Sequence, residues 1–156
     1  MKKILSTTAL VGTLFAIAAG SAMADASSGE IKLNGTMGAV CVVDVDAKNT
    51  NIDMKEGAKK QVVAEIKETC NDHEGYTISF TSANAGVILH RDSGQSVPYT
   101  VSYDSSNASS LAKPLDIVRA KEGYGVEHNL VVDMAGGADR VAGTYGDVIT
   151  VQIAAK

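Results

Sequence analysis

Residues 31–45 read IKLNGTMGAVCVVDV, and apolar side chains occupy every odd-numbered position except Gly35. The apolar, odd-numbered residues are Ile31, Leu33, Met37, Ala39, Cys41, Val43 and Val45. Such alternation is typical of a strand with one buried face, whereas an amphipathic helix repeats near 3.6 residues. A strand usually has about 3 to 10 residues, so we expect a break near Gly35 and two strands.

The same alternation recurs through the rest of the chain. It is clearest over residues 62–70, 76–80, 97–103, 126–134 and 149–153. Turn-forming residues separate these segments at 71–75, 91–94, 104–110 and 135–139. Short strands at this spacing predict a β-sandwich. The composition of residues 56–67 also permits a helix, but Cys70 continues the alternation and favours a strand.

The amino terminus has the features of a secretory signal peptide. Lys2 and Lys3 precede an apolar run over residues 9–19, and Ala22-Met23-Ala24 supplies small residues for cleavage. We predict cleavage after Ala24, which leaves residues 25–156 as one exported domain.

The charge of the exported part disfavours nucleic acid as a partner. The signal peptide removes two of the 14 basic residues and none of the 18 acidic ones, which leaves a net charge of −6. A binding surface for nucleic acid needs clustered positive charge.

Cys41 and Cys70 are the two cysteines of the chain. Export takes them into an oxidising compartment, where one intramolecular disulfide is the simplest prediction and two free thiols are the alternative. Closing a loop of about 30 residues stabilises a fold by roughly 3 to 4 kcal/mol in the chain-entropy description.

The sequence lacks a recognisable catalytic or metal-binding pattern. His73, His90 and His128 stand in unlike contexts, without a ligand spacing. Asp72-His73-Glu74 is better explained as a solvated turn. We therefore predict no enzyme activity, no metal and no cofactor.

Four segments together resemble the chaperone-usher pilins, in particular the spore-coat-U-like branch of secreted pilus subunits. The segments are the signal peptide, Gly29–Gly35 with Cys41-Val42-Val43, Glu68–Asn71 with Tyr76–Ser79, and Ala142–Val151. The resemblance implies an all-β, incomplete immunoglobulin-like β-sandwich with an N-terminal donor strand. It divides the chain into a signal peptide (1–24), a donor-strand arm (25–38) and a pilin-type domain (39–156).

The resemblance also implies the site residues. Cys41 and Cys70 match the disulfide that joins the first two strands of the family. The donor residues are expected to be Gly29, Ile31 and Leu33. The last strand and its groove are expected to contain Gly143, Tyr145, Ile149, Val151 and Ile153.

The implied function is that of a structural pilus subunit. Its partners would be a periplasmic chaperone, an outer-membrane usher and like subunits, and it would pass through the periplasm to a cell-surface fimbrium. One alternative is a secreted, self-complete Ig-like binding module, such as a monomeric adhesin or inhibitor, that keeps residues 25–35 as its own strand. A periplasmic enzyme or metal carrier is a further alternative.

Overall fold

A computed structural model describes residues 27–156, so the predicted signal peptide lies outside the described residues. The chain divides into two units, residues 1–35 and 36–156. In the first unit, the described residues 27–35 form neither helix nor strand. The second unit consists of β-strands joined by turns and loops. Across residues 27–156, no helix has the length and apolar character to cross a membrane.

Nine strands build the second unit. In chain order they are β1 (Cys41–Ala47), β2 (Gly57–Cys70), β3 (Tyr76–Ser82), β4 (Val87–His90), β5 (Ser96–Tyr103), β6 (Leu115–Arg119), β7 (Gly123–Ala135), β8 (Tyr145–Gly146) and β9 (Ile149–Ala155). They form a six-stranded sheet in the order β1-β2-β7-β5-β4-β8 and a three-stranded sheet in the order β6-β3-β9. All the pairings are antiparallel. The prediction of an all-β sandwich is confirmed by the two antiparallel sheets, while the donor strand stays a prediction.

The core lies between the two sheets and follows the predicted alternation. Ile78 and Phe80 of β3 and Val101 and Tyr103 of β5 are fully buried. Residues 57–70 form the strand β2, and its Ile66 is fully buried as well. The helical alternative for residues 56–67 is therefore wrong, and packing against β1 and β7 decides the conformation despite the favourable helix propensity.

Irregular pairing changes one face of β2. The register shifts between Val62 and Ala64 where β2 pairs with β7. A shift of this kind turns side chains relative to the regular alternation. Val63 consequently packs against the core. The simple alternation predicts that Val62, and not Val63, faces inward.

The C-terminal segment differs from the prediction. The pattern indicates one continuous strand over residues 142–153, but Gly143 precedes the strands and Tyr145 lies in β8. β8 pairs with β4 in the six-stranded sheet, and β9 pairs with β3 in the other. The prediction of a single last strand is wrong because the chain changes sheets between Gly146 and Ile149.

Candidate functional site

The strand β9 lies at an edge of its sheet. In the described part of the chain its only strand partner is β3. β1 is one of the two edge strands of the six-stranded sheet and lies near β9. The two sheets therefore meet here through edge strands that are not hydrogen-bonded to each other. The expectation that the last strand lies at a sheet edge is confirmed.

A groove of about 600 Å³ opens between these edge strands. Residues from both sheets line it, and most of the side chains are apolar. They include Val45, Ile52, Met54, Val63, Ile88, Leu130, Val132, Ile149 and Val151. Gly143 and Tyr145 also line the groove, and Asp147 contributes a carboxylate. Ile153 lies further along β9, outside this lining.

The inner faces of the two edge strands are incompletely covered. Ile149, Val151 and Ile153 alternate with exposed residues along β9, yet all three are only half-buried. Phe80 on the neighbouring strand β3 is fully buried. Val45 of β1 remains 45% exposed although its side chain belongs to the inward-facing series. The apolar surface expected in the core of a complete sandwich thus faces solvent at this edge.

Asp147 holds the segment where the chain crosses between the sheets. Its Oδ2 accepts hydrogen bonds from Ser82 Oγ at 2.6 Å and Tyr99 Oη at 2.6 Å. Its Oδ1 accepts from the backbone N–H of Asn84 at 3.0 Å. These hydrogen bonds hold the segment between β8 and β9 against β3 and β5. The Asp147 carboxylate therefore fixes the chain directly before β9.

His90 holds the wall of the groove that precedes β8. Its Nδ1 accepts hydrogen bonds from the backbone N–H groups of Asp92 at 3.1 Å and Ser93 at 3.0 Å. Its Nε2 therefore carries the proton and donates to the carbonyl oxygen of Ala142 at 3.2 Å. Gly143 lies against this ring with φ +148, and a Cβ there would stand 2.2 Å from His90 Nε2. Glycine is required at this position for both conformation and space.

The disulfide between Cys41 and Cys70 is present and joins β1 to β2 at directly opposed positions. Asn71 reinforces this end. Its Oδ1 accepts from the Val40 N–H at 2.6 Å, and its Nδ2 donates to the Gly38 carbonyl oxygen at 3.2 Å. The beginning of β1 is thereby attached to the end of β2.

The residues predicted to act as donors lie in the first unit. Ile31 and Leu33 are 87% and 90% exposed. Gly29 has open space around its Cα. The three residues lie in segment 27–35, which has no regular secondary structure. Their role as donor residues stays a prediction.

A buried polar cluster was missed by the sequence analysis. Glu68 is fully buried, and its carboxylate accepts from Arg119 Nε at 3.0 Å and Nη2 at 2.9 Å. Tyr76 Oη and Tyr103 Oη donate to the same carboxylate at 2.7 Å and 2.5 Å. Arg119 also reaches Asp104 at 2.8 Å. The available signal was the position of Glu68 on the buried, even-numbered face of β2, where a charge requires partners.

The electrostatics of this cluster follow from its contacts. Burial alone would raise the pKa of Glu68, but the hydrogen bonds from Arg119, Tyr103 and Tyr76 hold it below its usual range. Burial and the bond to Glu68 raise the pKa of Tyr76 to about 12. The Glu68 carboxylate thus accepts four hydrogen bonds, and Arg119 divides its donors between Glu68 and Asp104.

Within residues 27–156, no group of three or more His, Cys, Asp or Glu side chains has the geometry to hold a metal ion.

The fold and the groove together define the chain as a two-sheet antiparallel β-sandwich with an open edge at its last strand. It is similar to the crystal structure of self-complemented MyfA, the major subunit of Myf fimbriae from Yersinia enterocolitica. The sequence identity is 15%, the TM-score is 0.39, and the match covers 70% of this chain and 94% of that chain. No protein-family model and no curated protein matches the chain.

Proposed function

We propose that the protein is a structural subunit of a bacterial surface pilus, assembled by donor-strand exchange and supporting adhesion or biofilm formation. The observation that carries the proposal is the apolar groove between the edge strands β1 and β9. An extended segment placed there would pair with β9 through its backbone and fill the groove with alternate side chains. Pilins and their chaperones are a known instance of this mode of binding.

The contrast between the two edges of the three-stranded sheet supports this proposal. At the β6 edge, Lys113 and Pro114 directly precede a strand of five residues. Charge and proline are devices that protect an edge from unwanted pairing. β9 has seven residues, has no charged residue or proline within it although Lys156 follows it, and presents an apolar inner face. An edge without such protection is suited to receive another strand.

The donor we propose is segment 25–38 of a second subunit. Ile31 and Leu33 project to one side of an extended chain, with Glu30, Lys32 and Asn34 on the other. This segment has 14 residues, while β9 has seven. At about 3.3 Å per residue, the segment is long enough to span the groove and still connect to its own domain.

The proposal includes the route to the surface. Residues 1–24 direct export, a periplasmic chaperone lends a strand to the groove, and an outer-membrane usher replaces it with the arm of the next subunit. Like subunits are therefore the lasting partners. The role is structural rather than catalytic, in keeping with a buried Glu68 and Arg119 that are committed to each other.

The test uses a truncated chain, residues 39–156, and a synthetic peptide of residues 25–38. We expect the peptide to raise the Tm with the logarithm of its concentration once that exceeds the Kd, by roughly 10 °C at about 100 times the Kd. The measurement is thermal unfolding followed by circular dichroism over a peptide titration.

Two peptide variants with the same charge change provide the control. Ile31→Asp with Leu33→Asp should abolish the rise, because both charges would enter the apolar groove. Asn34→Asp with Thr36→Asp should retain most of it, because these side chains face away. A truncated chain that is stable alone and ignores every peptide contradicts the proposal and favours the self-complete binding module.

A further inference from the structure

The register between β1 and β2 is not determined by the hydrophobic pattern. Apolar residues occupy every odd position of 31–45 except Gly35, before β1 as well as within it. In the structure Val43 lies opposite Glu68 and Val45 opposite Ile66. If β1 moved by two residues along β2, Cys41 would lie opposite Glu68 and Val43 would lie opposite Ile66. Apolar residues would still face inward, because the side-chain period of a strand is two.

The polar contacts on the outer face of β1 stabilise the observed register only weakly over a shifted one. Asp44 lies opposite Lys67, and Lys48 Nζ approaches Glu65 at 2.5 Å and Asp46 at 3.4 Å. Lys48 and Glu65 are 40% and 38% exposed and Asp46 is 73% exposed, and ion pairs that solvent reaches contribute little. A two-residue shift would place Asp44 opposite Glu65, which is unfavourable but only at the surface.

The clamp formed by Asn71 is also insensitive to register. Its side chain binds the backbone of Gly38 and Val40, and its own N–H donates to the Val40 carbonyl oxygen at 3.1 Å. Backbone groups recur at every residue, so another pair could replace them after a shift. The Cys41–Cys70 bond differs because it depends on one particular side chain.

We propose that the Cys41–Cys70 disulfide selects the register of β1 from several registers that the hydrophobic pattern permits. Through that choice it positions Val45 and Ala47, which line the groove. A two-residue shift would move them by about 6 to 7 Å and draw two residues of the preceding segment into the sheet. This positioning role goes beyond pilus assembly and holds whether or not the groove accepts a donor strand.

The test moves the thiol by two residues in the mature chain, residues 25–156, with Ala39→Cys and Cys41→Ser. We expect the introduced thiol to bond to Cys70 and the domain to fold. Interstrand nuclear Overhauser contacts should then place Asp44 opposite Glu65, whereas the parent has Asp44 opposite Lys67. The matched control, Val40→Cys with Cys41→Ser, moves the thiol by one residue. This control should not fold with its thiol bonded to Cys70, because a one-residue shift would turn the inward-facing side chains of β1 outward and the outward-facing ones inward.

A second variant, Cys41→Ser with Cys70→Ser, tests the register without any bond. It should show two sets of interstrand contacts, the shifted set reaching on the order of a tenth of the molecules. The proposal is overturned if this variant keeps the parental register alone, or if the two-residue variant does not fold, or folds with Asp44 still opposite Lys67. Neither readout needs a donor segment, so these outcomes are distinct from failure of the peptide titration.

Discussion

At the scale of single residues, the buried pair of Glu68 and Arg119 is the main departure from an apolar core. Glu68 is fully buried, and the Arg119 side chain is 20% exposed. The pair joins β2 to β6 across the two sheets. Removing one partner from a buried ion pair leaves an uncompensated charge, which costs more than the pair itself contributes.

We expect Arg119→Met to lower the free energy of unfolding by about 3 to 5 kcal/mol. Denaturation in urea, followed by circular dichroism, measures this loss. Lys67→Met is the matched control, because its ion pair with Glu127 is half-exposed on both sides and should contribute no more than about 1 kcal/mol. Equal losses in the two variants would contradict a special role for Arg119.

At the scale of elements, the segment between β7 and β9 decides the shape of the groove. It contributes β8 to one sheet and then crosses to the other, with Asp147 bonded to Ser82 and Tyr99 at the crossing. The tight fit of Gly143 on His90 keeps this segment against β4. The wall of the groove consequently depends on contacts that lie outside β9 itself.

The prediction at this scale concerns two glycines of the same segment. Gly143→Ala should destabilise the domain by about 1 to 3 kcal/mol, because the new methyl group would overlap His90 and the φ of +148 disfavours a side chain. Gly146→Ala should change stability by less than about 0.5 kcal/mol, since nothing lies within 4 Å of an added Cβ. Chemical denaturation of both variants provides the comparison. A Gly143→Ala variant with an unchanged free energy of unfolding would contradict this prediction, because it would show that this segment can move to accommodate the methyl group.

At the scale of the whole molecule, the stability of the sandwich should depend on pH through Glu68. Its folded pKa lies below the ordinary value of 4.5, which applies to the unfolded chain. The folded state therefore binds this proton less readily, and the stabilisation is complete above about pH 4.5. It is lost as the pH falls through the folded pKa.

We expect the free energy of unfolding to fall below pH 4.5, with Glu68 contributing a slope of up to about 1.4 kcal/mol per pH unit. Glu68→Gln should be less stable at pH 7 but should lose that contribution to the slope. Asp104, whose pKa is lowered by its hydrogen bond to Arg119, supplies part of the remaining dependence in both proteins. Unfolding in urea at several pH values gives the two curves, and parallel curves would contradict the assignment to Glu68.

The predictions from sequence succeeded where a pattern is local. Tyr76, Ile78 and Phe80 were assigned to one face of a strand, and all three are buried. The short strands β4 and β6 were not predicted, because four and five residues give too little alternation to recognise. Ile149, Val151 and Ile153 were predicted to alternate along one strand, and all three are half-buried residues of β9.

The sequence by itself determined the all-β class, the inward face of most strands and the two cysteines available for a disulfide, because side-chain period and composition act between near neighbours. Only the tertiary structure decided that the C-terminal segment divides between two sheets, that Glu68 finds its partner in Arg119, and that β1 and β9 border an open groove. These features join residues far apart in the chain. Their energies depend on which strand edges lie next to each other in the fold, and a local sequence pattern does not contain that information.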